Sequence, residues 1–374
     1  MNKKQLYYLI SSILSLDQKP DNAHEVIKRL PQNKEDWQKW VQLGSKHLVL
    51  QSLFLSLKRH QLLSYFPDDL TEYLNYIHQL NIERNQSITE QAKSLQYLFD
   101  KEGIVCIFMK GTGNIFDGLY HDIGERMVYD MDILVEEDKM LKAAQALLDV
   151  GYKTQKNFNP LAYPSTMHYP ILLREDCVAG VEIHRLPVQY QYLKSFPPER
   201  VFETKKPSTV QTGFWVMSDS NKIIHNFLHS QLMHNAHYHA DVSLRDLYDI
   251  LLMSKRKDIV RVFKDFKRYQ KESNAYIQLM YKVFGLPIPN SLRKTYCNAF
   301  FFTRHNMTLA MNRKQLMIYH LVISAFIKYI ALPFRTIFDK NARNYVFSRL
   351  KNKHWYKEHM NAYKRKYFGK RKVK

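Results

Sequence analysis

At 374 residues and 45% hydrophobic content, the chain is long enough for two or three packed units of ordinary globular composition. Only 11 glycines and 13 prolines argue against a loop-rich all-β architecture, and three scattered cysteines (Cys106, Cys177, Cys297) argue against a disulfide scaffold or a thiolate zinc site. The net charge of +21 implies an anionic partner: nucleic acid, nucleotide phosphates or an acidic membrane surface.

Lys3-Lys4 ahead of an apolar stretch from Leu6 to Leu16 has the outline of a secretory leader. No small-residue cleavage site follows, and Asp17, Lys19 and Asp21 come at once, so the expectation is a buried amphipathic first helix in a cytoplasmic protein. From Met1 to about Asp100 apolar residues recur three and four apart, as in Leu50, Leu53 and Leu57 or Tyr73, Ile77 and Leu80, which predicts helices throughout. The pattern changes at Gly103. Ile104 to Met109 reads as a buried strand, broken by Lys110-Gly111-Thr112-Gly113, with a short helix from Asn114 to Tyr120. A second strand follows from Asp130 to Val135, then a helix capped by Asp138 and stopped at Gly151. Tyr169 to Arg174 and Val178 to His184 read as two further strands around a turn at Glu175-Asp176. Helical periodicity returns near Ser218. The apolar run from Leu316 to Phe334, interrupted by His320, Lys328 and Pro333, is expected to be a core helix, with attachment to a membrane surface as the alternative. From Lys340 to Lys374 about a dozen Lys and Arg face the single acid Glu358, interleaved with Trp355, Tyr356, Tyr363, Tyr367 and Phe368. This reads as a basic helix and tail open to nucleic-acid or anionic-membrane contact.

Asp130-Met131-Asp132 carries the most chemistry. Residues i and i+2 of a strand share a face, so the two carboxylates lie side by side. Like charges so placed repel unless a cation lies between them, and the usual cation is a divalent metal handling phosphates. The plainer alternative is a pair of strand-end acids matched to Arg126 or Lys110.

The order of strand, glycine break, helix, strand with Asp-x-Asp, helix and a later strand with one more acid resembles the polymerase-β-type nucleotidyltransferase superfamily. Within it the chain is most similar to a bacterial family of uncharacterised nucleotidyltransferase-like proteins. The matching residues are Lys110-Gly111, Arg126, Asp130-Met131-Asp132-Ile133-Leu134-Val135, Gly151-Tyr152, Glu182-Ile183-His184 and Leu244-Arg245-Asp246-Leu247-Tyr248-Asp249, spanning roughly residues 100 to 255. The resemblance implies an α+β fold: a small mixed β-sheet, polymerase-β-like core at 101–215, an N-terminal helical region at 1–100, and a C-terminal helical region at 216–374 ending in the basic tail at 340–374. It implies transfer of a nucleoside monophosphate from an NTP to an acceptor hydroxyl, releasing pyrophosphate. Asp130, Asp132 and Glu182 would be the catalytic, metal-holding acids for Mg²⁺ or Mn²⁺, with Glu182 also easing the proton from the hydroxyl. Lys110, Gly111, Thr112 and Arg126 would contact the nucleotide, helped by the N-terminus of the following helix. Two departures stand out: Thr112 where the superfamily usually has Ser, and Glu182 where many members have Asp. The acceptor stays open among a small molecule, a glycan, a protein and a nucleic acid. A reading from another class is an inactive protein on the same scaffold that holds a nucleotide, nucleic acid or membrane surface. Three acids in one cleft distinguish them, because a phosphate-binding module gains nothing from carboxylates.

His225, His229, His234, His237 and His239 crowd ahead of Asp241, the first two at metal-ligand spacing on one helix face. No glutamate follows the first histidine. The expectation is a helix packed on the core with histidines at its polar edge, followed by ion pairs among Arg245, Asp246 and Asp249 at helical spacing. A contribution of Arg245 to substrate phosphates is the alternative.

Overall fold

Seven short strands form one mixed sheet in the order β3-β4-β5-β2-β1-β7-β6 in a computed structural model that describes residues 1–154, 166–292, 295–338 and a few positions from 340 to 347. They are β1 (Ile107–Phe108), β2 (Asp130–Leu134), β3 (Lys153–Thr154), β4 (Leu172–Leu173), β5 (Gly180–His184), β6 (Lys206–Pro207) and β7 (Trp215–Val216). β2 and β5 run parallel at the centre, with Asp132 opposite Glu182 and Leu134 opposite His184. β1 is antiparallel to β2 and parallel to β7. Alternation explains the two longest strands. Met131, Ile133, Val181 and Ile183 are fully buried on one face, so Asp130, Asp132, Glu182 and His184 share the other.

The expected strand at Ile104 to Met109 contracts to the two residues of β1, and the one at Tyr169 to Arg174 contracts to β4. β3, β6 and β7 have no counterpart in the sequence reading, because two residues cannot display alternation. The helix expected at Asn114 to Tyr120 begins earlier and spans Lys110–Phe116. It lies directly on β1: a Cβ on Gly113 would stand 2.3 Å from the Phe108 carbonyl oxygen, so only glycine fits there.

The first helix, Lys3–Leu14, opens with a capping box made by Asn2 and Gln5 and buries Leu6, Tyr7, Leu9, Ile10, Ile13 and Leu14. It packs on the Lys34–Lys46 and Leu50–Arg59 helices and, from the far end of the chain, on Gln270–Val283 and Tyr296–Ala310. Lys3 Nζ donates to the Thr308 carbonyl at 3.2 Å, and the Tyr8 hydroxyl donates to Asn306 at 3.0 Å. The N- and C-terminal helical regions therefore meet, and one contiguous apolar core runs from Leu6 to Leu309.

The Asp219–Phe227 helix widens into a π-helical turn at Leu228–Met233 before the chain continues through Leu244–Ser254 and Ile259–Phe266. The last long helix runs Arg313–Phe338, with a π-helical section at Ile327–Ala331. It corrects the core-helix expectation: no described residue of it is buried, Leu316, His320, Ile323, Ser324 and Ile327 being half-buried and Ile318, Val322, Phe326 and Ile330 exposed. The basic tail, apart from a few positions up to 347, lies outside the described residues.

Candidate functional site

Where β1 ends, Lys110 takes a left-handed backbone (φ +49°) and turns the chain into the Lys110–Phe116 helix. The turn carries its ammonium back over β2, where Nζ lies 2.5 Å from Asp132 Oδ1. His184 Nε2 reaches the same oxygen at 2.9 Å and lies 3.4 Å from Glu182 Oε2. Asp132 and His184 are buried, whereas Glu182 and Asp130 are half-exposed. One ligand atom each from Asp132, Glu182 and His184 falls within 4.8 Å of the others. Asp130 is on the same strand face but outside that tight group.

Charge organises this cluster. Burial pushes the Asp130 carboxyl up, and the neighbouring Asp132 adds to the rise. Burial alone would raise Asp132 too, but Lys110 and His184 hold it well below the usual carboxylate range. Glu182 is lowered, chiefly by its hydrogen bond with His184. Burial opposes the charged forms of His184 and Lys110, and the carboxylates outweigh it, so both are raised. The cluster sets the Lys110 ammonium and a His184 ring whose charged form is favoured against one buried and two half-exposed acids. The His168 ring lies tilted 4.9 Å from the His184 ring and is lowered by burial and then by His184, which favours its neutral form.

The other expected contacts are placed differently. Gly111 faces Val128, with room for no more than a tight Cβ 3.1 Å from Val128 Cγ2. The buried Thr112 hydroxyl donates to the Asp130 carbonyl at 3.2 Å and so braces β2. Arg126 is not matched to Asp130 or Asp132. Its guanidinium grips both oxygens of Asp249 at 3.1 to 3.3 Å and the Met127 carbonyl at 2.7 Å. Asp249 also accepts from the Tyr120 hydroxyl at 2.8 Å. The helical ion pairs expected around Asp249 are thus replaced by a tertiary one, and Arg245 Nε lies 3.4 Å from its neighbour Asp246.

Behind Lys110 and Gly111 is a cavity of about 70 Å³ lined in part by Arg126, Lys222, His225, His229 and Arg245. Lys222 is matched to buried Asp117 at 2.6 Å. His225 corrects the polar-edge expectation: it is buried, hydrogen-bonded to the Pro187 carbonyl at 2.9 Å, and pushed down to about 4 by burial. Its ring stacks on His229, 5.7 Å away. His237 stacks on Phe301, and His239 bonds Ser324 at 2.9 Å. The histidine stretch is therefore spread over several neighbours, and the cluster of possible ligands among the described residues is that of Asp132, Glu182 and His184. His184 had a legible signal, because it follows Glu182 by two on one strand, the same alternation that joins Asp130 to Asp132.

In-register carboxylates on parallel strands, with a lysine and a histidine against them at the edge of a cavity whose Arg126, Lys222 and Arg245 are each paired with an aspartate, define a mixed α/β core with a charged cleft. The chain belongs to the uncharacterised nucleotidyltransferase family, which matches residues 33–280, about two thirds of its length. No curated protein and no solved structure matches it.

Proposed function

We propose that the protein is a metal-dependent nucleotidyltransferase with a polymerase-β-like core, moving a nucleoside monophosphate from an NTP to an acceptor hydroxyl. The observation that supports this most is the Asp132–Glu182 register, which puts two carboxylates beside each other and Asp130 on the same face. Hard oxygen donors of that kind suit Mg²⁺ or Mn²⁺, and the ammonium of Lys110 at 2.5 Å from Asp132 marks where positive charge is already held. Asp130, Asp132 and Glu182 would hold the metal, which when bound offsets charge developing on the phosphates. His184 fixes the orientation of Asp132 and Glu182. Lys110 exchanges Asp132 for a phosphate oxygen when substrate enters, and Gly111 leaves the backbone accessible. Thr112 and Arg126 act as positioning residues, the first through the Asp130 carbonyl and the second through Asp249. In the transfer the acceptor oxygen bonds to the α-phosphorus, the bond to pyrophosphate breaks, and the hydroxyl proton passes to a carboxylate at the half-exposed mouth. The acceptor class is left open, and the need for NTP favours a cytoplasmic location.

The test is a thermal-shift panel of the four NTPs with and without Mg²⁺ or Mn²⁺. The expected result is a metal-dependent rise in Tm with at least one NTP, lost in Asp130→Asn. Absence of any metal-dependent stabilisation of the wild type overturns the enzyme reading. A second reading, an inactive anion-binding protein, draws support from Lys110 and His184, which both pair with the same oxygen of Asp132. It predicts nucleotide stabilisation that is indifferent to metal.

A further inference from the structure

The Arg313–Phe338 helix differs from a helix that packs on a core: no described residue of it is buried, and a row of large apolar side chains lies open. Its polar side chains touch the body: His320 lies 3.7 Å from Asp241, Ser324 bonds His239 at 2.9 Å, and Tyr319 accepts from Arg304 at 2.7 Å. Leu316, Ile323 and Ile327 are half-buried alongside them, and a second set of apolar side chains points away. Ile318, Val322, Phe326, Ile330, Phe334 and Ile337 recur at near-helical spacing and are each more than half exposed. A continuous apolar stripe of this kind marks an interaction surface.

We infer that this helix docks the protein on an anionic lipid bilayer, lying in the membrane plane. At 1.5 Å per residue it is about 39 Å long, enough to cross a bilayer. Its tethers to Asp241, His239 and Arg304 hold it against the body, so it lies flat. Charge selects the occupant. Arg313 and Lys314 flank the start of the helix, and the sequence from Lys340 to Lys374 adds about a dozen Lys and Arg against Glu358. A second copy of the chain carries the same charge of +21 and is repelled. A nucleic acid gains little from a mostly aliphatic stripe. An anionic bilayer satisfies both features at once, apolar side chains entering the acyl boundary while basic groups meet the headgroups. This inference stands whether or not the carboxylate cluster transfers nucleotides.

Flotation of the full chain with vesicles of phosphatidylcholine, alone or with one third phosphatidylglycerol, tests it across a salt series. The protein is expected to float with the anionic vesicles only, and less so as salt rises. Val322→Glu/Phe326→Glu, at exposed positions that leave Tm unchanged, is expected to lower partitioning by about tenfold or more. Deleting residues 340–374 is expected to remove the salt-sensitive part. The inference is overturned if the wild type stays in the buffer fraction, or if the double variant floats equally well. It is also overturned if the stripe instead forms a dimer that the double variant dissociates without vesicle binding.

Discussion

Lys110 combines two costs that a site residue can bear and a plain turn residue rarely does. A non-glycine at φ +49° is strained by about 1 kcal/mol, and its ammonium is drawn into a largely buried place. Both are offset by Asp132, which would otherwise face Asp130 and Glu182 with His184 alone beside it. Lysine and metal ion then compete for one oxygen. Lys110→Ala is accordingly expected to tighten Mn²⁺ binding several-fold by calorimetry, on the order of 1 kcal/mol, while weakening nucleotide binding. Unchanged or weaker Mn²⁺ binding would show that Asp132 is not a ligand. At this scale the shared face of Asp130 and Asp132 was legible, because strand alternation is a local rule; Glu182 came from the family resemblance, since the pairing that sets it opposite Asp132 is not local. The grip of Arg126 on Asp249 was not legible, since its two partners stand 123 residues apart and nothing local links them.

Among the helices, the least obvious joint is the one at Tyr7. Its ring meets His47 and His305 edge-on, 5.4 and 5.3 Å away, linking the first helix to the Tyr296–Ala310 helix. Burial pushes His47 down to about 3 and His305 to about 4, and their ring nitrogens pair with the Leu244 N–H and the Ala240 carbonyl. The unfolded chain protonates these groups near 6.5, before the folded one does. Their contribution is therefore full above that pH and is lost as pH falls toward the folded values, by about 1.4 kcal/mol per histidine per pH unit. Tm is expected to drop between pH 6.5 and 4, and His305→Gln should flatten that slope by close to one proton. An identical slope in the variant would place the acid sensitivity elsewhere. Periodicity revealed these helices, but it reports a stripe without saying what faces it. That is why the run from Leu316 to Phe334 read as core, although no described residue of it is buried. Two-residue strands such as β7 escaped for a related reason: their place is set by pairing with β1, which no local pattern encodes.

Across the whole molecule, the family match at 33–280 omits both partners of the closure between chain ends. The Lys3–Leu14 helix precedes it and the Tyr296–Ala310 helix follows it, yet Leu6, Ile10, Leu14, Phe301 and Leu309 belong to the same buried core as the sheet. Removing them uncovers the apolar faces of Lys34–Lys46, Leu50–Arg59 and Gln270–Val283, and each large side chain so exposed costs about 1.5 to 3 kcal/mol. A handful of such losses exceeds the stability of about 5 to 15 kcal/mol that a domain possesses. The Arg313–Phe338 helix has the opposite status, because no described residue in it is buried and its loss uncovers little. The fragment 33–280 is therefore expected to aggregate, whereas 1–312 is expected to stay soluble and to unfold in one cooperative step. Sedimentation velocity and urea unfolding of the two fragments check this. A soluble, cooperatively folded 33–280 would show that the terminal helices are an accessory layer and not part of the core that positions the acids.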